Sequence, residues 1–403
     1  MARGIFAALE EEELVIEENN DEVEQLEADI ETAEINEEQN DIDNDSETIE
    51  KAMDDIVELE EVSDVMEDSV EKEEGLDEDA AEMAQIAVEA ICERLGYKSR
   101  NPIIPALESF GGTDTRLNAT KAALEEVSDV IRKAWEAVKN FFRNIWESIK
   151  NFLARLFDAN TKLGIRVKNV EEALDKAVSS GFVVKEGKGN IKIDKFAKAF
   201  NAKTSGELSK GISVILGNHI AATKEAAKVN RTISQIASTG LKAAADVSKA
   251  TSGSWLKAVG ISKGLSGLTQ KTYVNGLTIQ VNDKGGIDVV PSTTATAKGE
   301  AKVVPLAGLK GVVENVSDLQ EAIAGSKADY EEAEKTVGNI LKEMNKLSDN
   351  EDKEKVTDAI KNLKAIQKIM IVANTKLPSL GFKAGNAALS YVNVNLSAYG
   401  AAK

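Results

Sequence analysis

The sequence predicts a mainly α-helical protein: an acidic N-terminal segment that is helical or partly disordered, a long amphipathic helix, and a helical body carrying a small antiparallel β element. Three observations carry this expectation. Charge is divided along the chain, since residues 1–108 hold 38 acids against 6 bases and the remaining residues hold 31 against 43, or −32 and +12. Apolar residues recur at three- and four-residue intervals over long stretches, the period of a helix with one buried face. Alternation of Val, Ile and Thr with glycine turn signals is confined to a short region near residues 273–306.

The acidic part comes first. Few aromatics and many carboxylates over residues 10–79 favour disorder or a solvated tail. Apolar stripes nevertheless run through it, one at Ile56, Leu59, Val62, Met66 and Val70 and another at Ala84, Ala87, Ile91 and Leu95. Helices separated by disordered acidic stretches are the expected outcome, marginal alone because like charges repel. The acidic segment and the basic remainder should attract each other.

A linker follows at residues 101–112, where Pro102 and Pro105 bracket Ile103 and Ile104 ahead of Gly111 and Gly112. Proline disfavours helix at and before itself, so this strip is expected to be extended and open to a protease. Beyond it, Leu124, Ser128, Ile131, Trp135, Val138, Phe142, Ile145, Ile149, Phe152 and Leu156 alternate by four and three. That spacing predicts one long amphipathic helix, with Phe141, Trp146, Leu153 and Phe157 widening its apolar face. Arg132, Lys133, Lys139, Arg143, Lys150 and Arg155 make the rest of it basic and are the candidate DNA-contacting residues. Its apolar face suits a bundle or coiled-coil core, and also a membrane interface.

Residues 182–184 and 191–193 flank a Gly-rich turn and read as a hairpin, and helix resumes over about 194–251. A small antiparallel β element is expected over 273–306. Two helices, about 317–347 and 350–375, read as a helical hairpin turning near residues 348–350, and the small-residue-rich stretch 377–403 carries no clear pattern. The implied organisation is 1–108, an acidic propeptide-like segment; 109–163, an amphipathic basic helix; 164–310, mixed helix with the β element; and 311–403, hairpin and tail.

The chemistry of common enzymes is missing. One cysteine, Cys92, and one histidine, His219, leave neither a disulfide framework nor a Cys/His zinc set, and a Cys–His nucleophilic pair is not indicated. Gly267 to Thr272 lacks the second glycine and the spacing of a phosphate loop. No stretch approaches the roughly 20 apolar residues of a membrane span, and residues 1–14 lack the long apolar run of a secretory signal. No enzyme activity and no cofactor are expected.

The most informative short motif is Ala106-Leu107-Glu108, placed at the charge reversal. In this layout the chain resembles the internal head proteins of giant tailed bacteriophages of the phiKZ type. The resemblance implies an acidic propeptide that directs packing into the prohead. It also implies a prohead protease that cuts after Glu in a small-residue, any-residue, Glu pattern. It places Ala106, Leu107 and Glu108 at the recognised positions and Ser109 at the new N-terminus. The same tripeptide pattern recurs at Ala80-Ala81-Glu82, Ala87-Val88-Glu89, Ala123-Leu124-Glu125 and Ala134-Trp135-Glu136, mostly within predicted helix. The implied protein is a virion-internal structural component, assembled in the host cytoplasm. Its implied partners are the prohead protease, capsid or other internal head proteins, and genomic DNA bound without sequence preference. Two alternatives share the layout, a prohead scaffold or core protein and a membrane-active effector inhibited by its acidic segment.

Overall fold

The computed structural model describes residues 2–97, 102–239, 267–269, 271–281, 287–292, 296–347, 360, 363–364 and 366–401. The chain is mainly helical, as the sequence predicts. Its frame is two very long helices, α1 (Ala2–Glu71) and α3 (Thr113–Ser179), with the hairpin helix α2 (Glu78–Arg94) between them in sequence. At 1.5 Å per residue each long helix spans about 100 Å, far more than one helix can stabilise without a packed face.

The acidic segment supplies such a face through a repeat of seven. Ala28, Ile35, Ile42, Ile49, Ile56 and Ser63 are all buried, with the four isoleucines at 0–2% exposure. A strict seven-residue spacing keeps one ridge turned toward a neighbour along the whole contact. No glycine or proline interrupts the chain between Gly4 and Gly75, so along the buried ridge from Ala28 to Ser63 the helical character expected here runs as one helix rather than as short helices between disordered stretches. The ridge offsets the like-charge repulsion that argued for interruption.

α1 ends in a left-handed turn at Glu73 (φ 59°) and Gly75 (φ 68°). A side chain on Gly75 would place its Cβ 2.7 Å from the Leu117 backbone nitrogen, so the turn can sit against α3 only with glycine there. Asp77 then caps α2 by accepting from the Ala80 N–H.

α3 carries the expected long amphipathic face, and Trp135, Val138, Phe142, Ile145, Ile149, Phe152 and Leu156 are buried as read. Trp146 and Leu153 join them. Two details differ. Toward its N-terminus the buried line is Ala119, Ala123, Val127 and Val130, while Ser128 is exposed and Leu124 half-buried. At the other end the face continues through Leu163, Val167, Val170, Leu174 and Ala177, so the helix runs unbroken past residue 163.

The remaining helices are α4 (Asp194–Ala199), α5 (Leu208–Thr239), α6 (Leu306–Gly325), α7 (Lys327–Leu347) and α8 (Leu377–Leu396); α6, α7 and α8 pack on α3, α5 packs on α6, α7 and α8, and α4 packs on α8. The single helix expected over about 317–347 begins earlier, at Leu306, and breaks at buried Ser326, whose hydroxyl donates to the Ile323 carbonyl at 2.6 Å. Residues 366–371 are helical and pass through a π-helical turn, Val372–Lys376, into α8. The wide turn precedes Pro378, which has no N–H to give the Asn374 carbonyl. The small residues of this stretch now have a role. Gly381, Ala384, Gly385 and Ala388 let α8 approach its neighbours closely, and a Cβ on Gly385 would stand 3.0 Å from Leu163.

The β structure consists of short antiparallel pieces. β3 (Thr272–Tyr273), β4 (Leu277–Val281) and β5 (Ile287–Pro291) form the small element expected from the sequence. The hairpin expected between residues 182–184 and 191–193 does not form. β1 (Val183–Val184) pairs with β7 (Tyr399–Gly400), and β2 (Asn190–Lys192) pairs with β6 (Glu300–Lys302). Local alternation marks strands but says nothing of which distant strand completes each one. Residues 240–251 of the expected helix and the turn expected at 348–350 lie outside the described residues.

Candidate functional site

The feature that organises the molecule is a groove between α3 and the helical segment preceding and including α8, in which α1 lies antiparallel to both. Along its α3 side, Glu31 meets Lys162 and Arg166 at 3.2 Å each and Glu38 meets Arg155 at 2.9 Å. Along the other side Asp43 pairs with Lys376 at 3.1 Å, Glu50 with Lys368 at 2.9 Å, and Asp54 with Lys364. The isoleucine ridge runs between these two rows, an arrangement like a coiled-coil seam with flanking charge pairs. Buried Gln367 adds a polar lock, donating to the Ser46 hydroxyl at 2.9 Å. Glu38 is buried enough that desolvation raises its carboxyl above the usual range despite Arg155.

Arg166 is the most enclosed of these cations. Besides Glu31 it donates to Asn386 Oδ1 at 3.0 Å, which ties α1, α3 and α8 together. The cavity beside it, lined in part by Ala28, Val170 and Leu389, is about 20 Å³, room for a water-sized molecule and no metabolite.

The predicted cleavage residues sit where the acidic arm passes into α3. Ala106 and the Glu108 side chain are exposed, while Leu107 and Ser109 are half-buried. The strip is not extended throughout, as the prolines suggested. Leu107–Phe110 forms a 3₁₀ turn in which the Ser109 N–H donates to the Ala106 carbonyl at 2.8 Å. Ile103, Ile104 and Phe110 are buried in a second, smaller core with Leu59, Met66, Val88, Ile91, Ala123 and Val127. Burial of three large apolar side chains outweighs the preference of the prolines for an open chain. The exposed residues here are Pro102, Ala106, Glu108, Gly111 and Gly112.

The six candidate DNA-contacting cations are strung along α3, and each has an intramolecular partner. Arg132 pairs with Asp129 at 2.8 Å, Lys139 with Glu136, and Lys150 with Glu334 at 3.1 Å. Lys133 donates to the Tyr97 hydroxyl at 2.7 Å and stands over that ring, while Arg143 donates to the Asn140 amide oxygen at 2.7 Å. Of the six, Arg155 takes its partner from α1. Sequence reading missed Lys162, Arg166, Lys364, Lys368 and Lys376, which pair with α1 along the two sides of the groove. The signal was available in the sevenfold isoleucine spacing of the acidic run, which marks its two flanks as rows of carboxylates needing partners.

His219 is a core residue. It is 1% exposed, its Nε2 accepts from the Val274 N–H at 3.2 Å, and burial lowers its pKa to about 3. It is therefore neutral near pH 7. Cys92 is a buried free thiol whose pKa burial raises. Among the described residues no group of three His, Cys, Asp or Glu side chains is placed to hold a metal ion, and no helix is long and apolar enough to cross a membrane.

The architecture is a mainly helical frame in which an acidic helix is seated in a basic-rimmed groove. The model of the phiKZ-like phage internal head proteins matches residues 11–394. The chain belongs to that family. Membership places this internal head protein inside the virion capsid, as a structural component with capsid-associated partners. No curated protein and no solved structure was found to match it.

Proposed function

We propose that residues 1–108 are an acidic propeptide that takes this internal head protein into the prohead, that the prohead protease cuts after Glu108, and that the basic remainder packs with genomic DNA without sequence preference. The observation that carries this reading is the pairing of charge across the groove. Acids of α1 occupy Arg155, Lys162, Arg166, Lys364, Lys368 and Lys376, so while the arm is seated those cations are neutralised within the molecule. Loss of the arm would return them to solvent and leave a body of net +12. Such a surface gains affinity for DNA by displacing counterions from phosphate.

Support for the position of the cut comes from the exposed Glu108 side chain on a short turn at the charge step. The four matching tripeptides named above stand in α2 and α3, with Ala81, Val88, Ala123 and Trp135 buried, so a protease would have to melt a helix to bind any of them as an extended strand. At Leu107–Phe110 only one turn has to open. The experiment is the substitution Glu108→Gln during phage infection, followed by immunoblotting of purified particles. Persistence of the full-length chain is expected, and normal processing of the variant would remove Glu108 from consideration.

A further inference from the structure

Excision of a propeptide is usually pictured as release, but the contacts of residues 1–108 with the rest of the molecule are not confined to the linker. They are spread along the arm. Ile35, Ile42, Ile49, Met53 and Ile56 are buried in the main core with Trp135, Phe142, Ile149 and Phe152, while Leu59, Met66, Val88 and Ile91 close the second core over Ala123 and Val127. Polar contacts reinforce both ends. The Leu76 N–H donates to buried Thr120 at 2.9 Å, Arg116 donates to the Glu74 carbonyl, and Gln367 reaches Ser46. The arm also holds its own shape, because Arg94 of α2 bridges Asp55 and Glu58 of α1.

We propose that the groove formed by α3 and the segment around residues 364–396 is a receptor for an acidic helix with a seven-residue apolar repeat. Its occupant is the chain's own residues 1–108, which stay seated as a separate polypeptide after the backbone is cut between the arm and α3. One cut therefore changes connectivity without uncovering the basic face. Uncovering requires a second event that acts on the arm itself, such as further cleavage that divides the isoleucine ridge into pieces too short to hold. This deepens the propeptide reading and rests on it only for when the cut occurs.

The test uses the full chain and no phage protease, so its outcome is separate from whether Glu108 is the natural site. A recognition sequence for a site-specific protease is inserted between Gly111 and Gly112, both exposed. The purified protein is cut and run on size exclusion with light scattering. The expected result is one peak with the mass of the uncut protein and both pieces in it, with helicity unchanged. Coelution should persist at about 1 M salt, where charges are screened within about 3 Å and the apolar ridge alone must hold. In the same cuttable chain, Ile42→Ala with Ile49→Ala should weaken retention at least tenfold. If that pair unfolds the uncut protein, Ile42→Val with Ile49→Val should weaken it by a smaller, measurable factor. Separation of the two pieces of the unsubstituted cut chain at micromolar concentration would overturn the proposal, as would retention unaffected by thinning the ridge.

Discussion

Replacing Ile49 by alanine separates the contribution of the ridge from that of the charges beside it. Ile49 is fully buried and belongs to the main core. The change removes three carbons at about 0.8 kcal/mol each before any cavity is counted. Incomplete collapse around the gap brings the expected loss to about 2–5 kcal/mol. Its neighbour Glu50 pairs with Lys368 at 2.9 Å, with the side chains 23% and 33% exposed, and a pair of that exposure contributes at most about 1 kcal/mol. The ridge therefore dominates and the charge rows set direction and register. Urea unfolding followed by far-ultraviolet circular dichroism distinguishes the two. Ile49→Ala should lower the midpoint clearly with the slope unchanged, Glu50→Gln should barely move it, and Leu26→Ala, at a position 60% exposed, should match the parent. If Ile49→Ala were as silent as Leu26→Ala, or if Glu50→Gln were the costlier change, the seating of α1 described above would be wrong.

Other expectations concern charge, pH and the aromatic core. A body freed of residues 1–108 should bind duplex DNA without sequence preference and with an affinity falling steeply with salt, roughly 0.9 logarithmic units per phosphate contact, while the full chain binds more weakly; equal binding by both forms would remove the electrostatic account. Because burial depresses the His219 pKa to about 3 from 6.5, the unfolded chain holds more protons between those values, so stability falls as pH drops below about 6.5. The slope from this residue is about 1.4 kcal/mol per pH unit, and His219→Gln should abolish it over pH 4.5–6.5; identical slopes in the two proteins would argue against a buried neutral imidazole. Trp135 and Trp146, at 1% and 6% exposure, should emit at short wavelength and ignore anionic vesicles once Trp255→Phe removes the third indole, whereas a vesicle-dependent blue shift would mean that the α3 face can be exposed.

Much of the fold was legible because long helices write their period plainly. The Trp135 to Leu156 line was read correctly from its four-three spacing, and the β3–β4–β5 element from its turn glycines. What failed was where two signals competed. Carboxylate density masked the Ile35, Ile42, Ile49, Ile56 repeat, so a seated helix read as interrupted. Near Ser128 the face of α3 shifts by about one residue toward Val127 and Val130, because there it serves the second core rather than the main one. Ile191 found its partner at Ala301, more than a hundred residues away, which no local pattern encodes. At the candidate cleavage site the prolines were legible and the burial of Ile103, Ile104 and Phe110 was not, since that depends on the hollow offered by α2 and α3. The basic partners of the arm escaped for the same reason, being drawn from two helices separated by some two hundred residues.

The central claim is maturation of an internal head protein by a cut after Glu108, and the intact masses of the polypeptides in purified mature particles test it most directly. The account predicts a body whose N-terminal residue is Ser109, recovered with no uncut chain. A chain recovered from mature particles with its backbone continuous through residues 106–112 would contradict it.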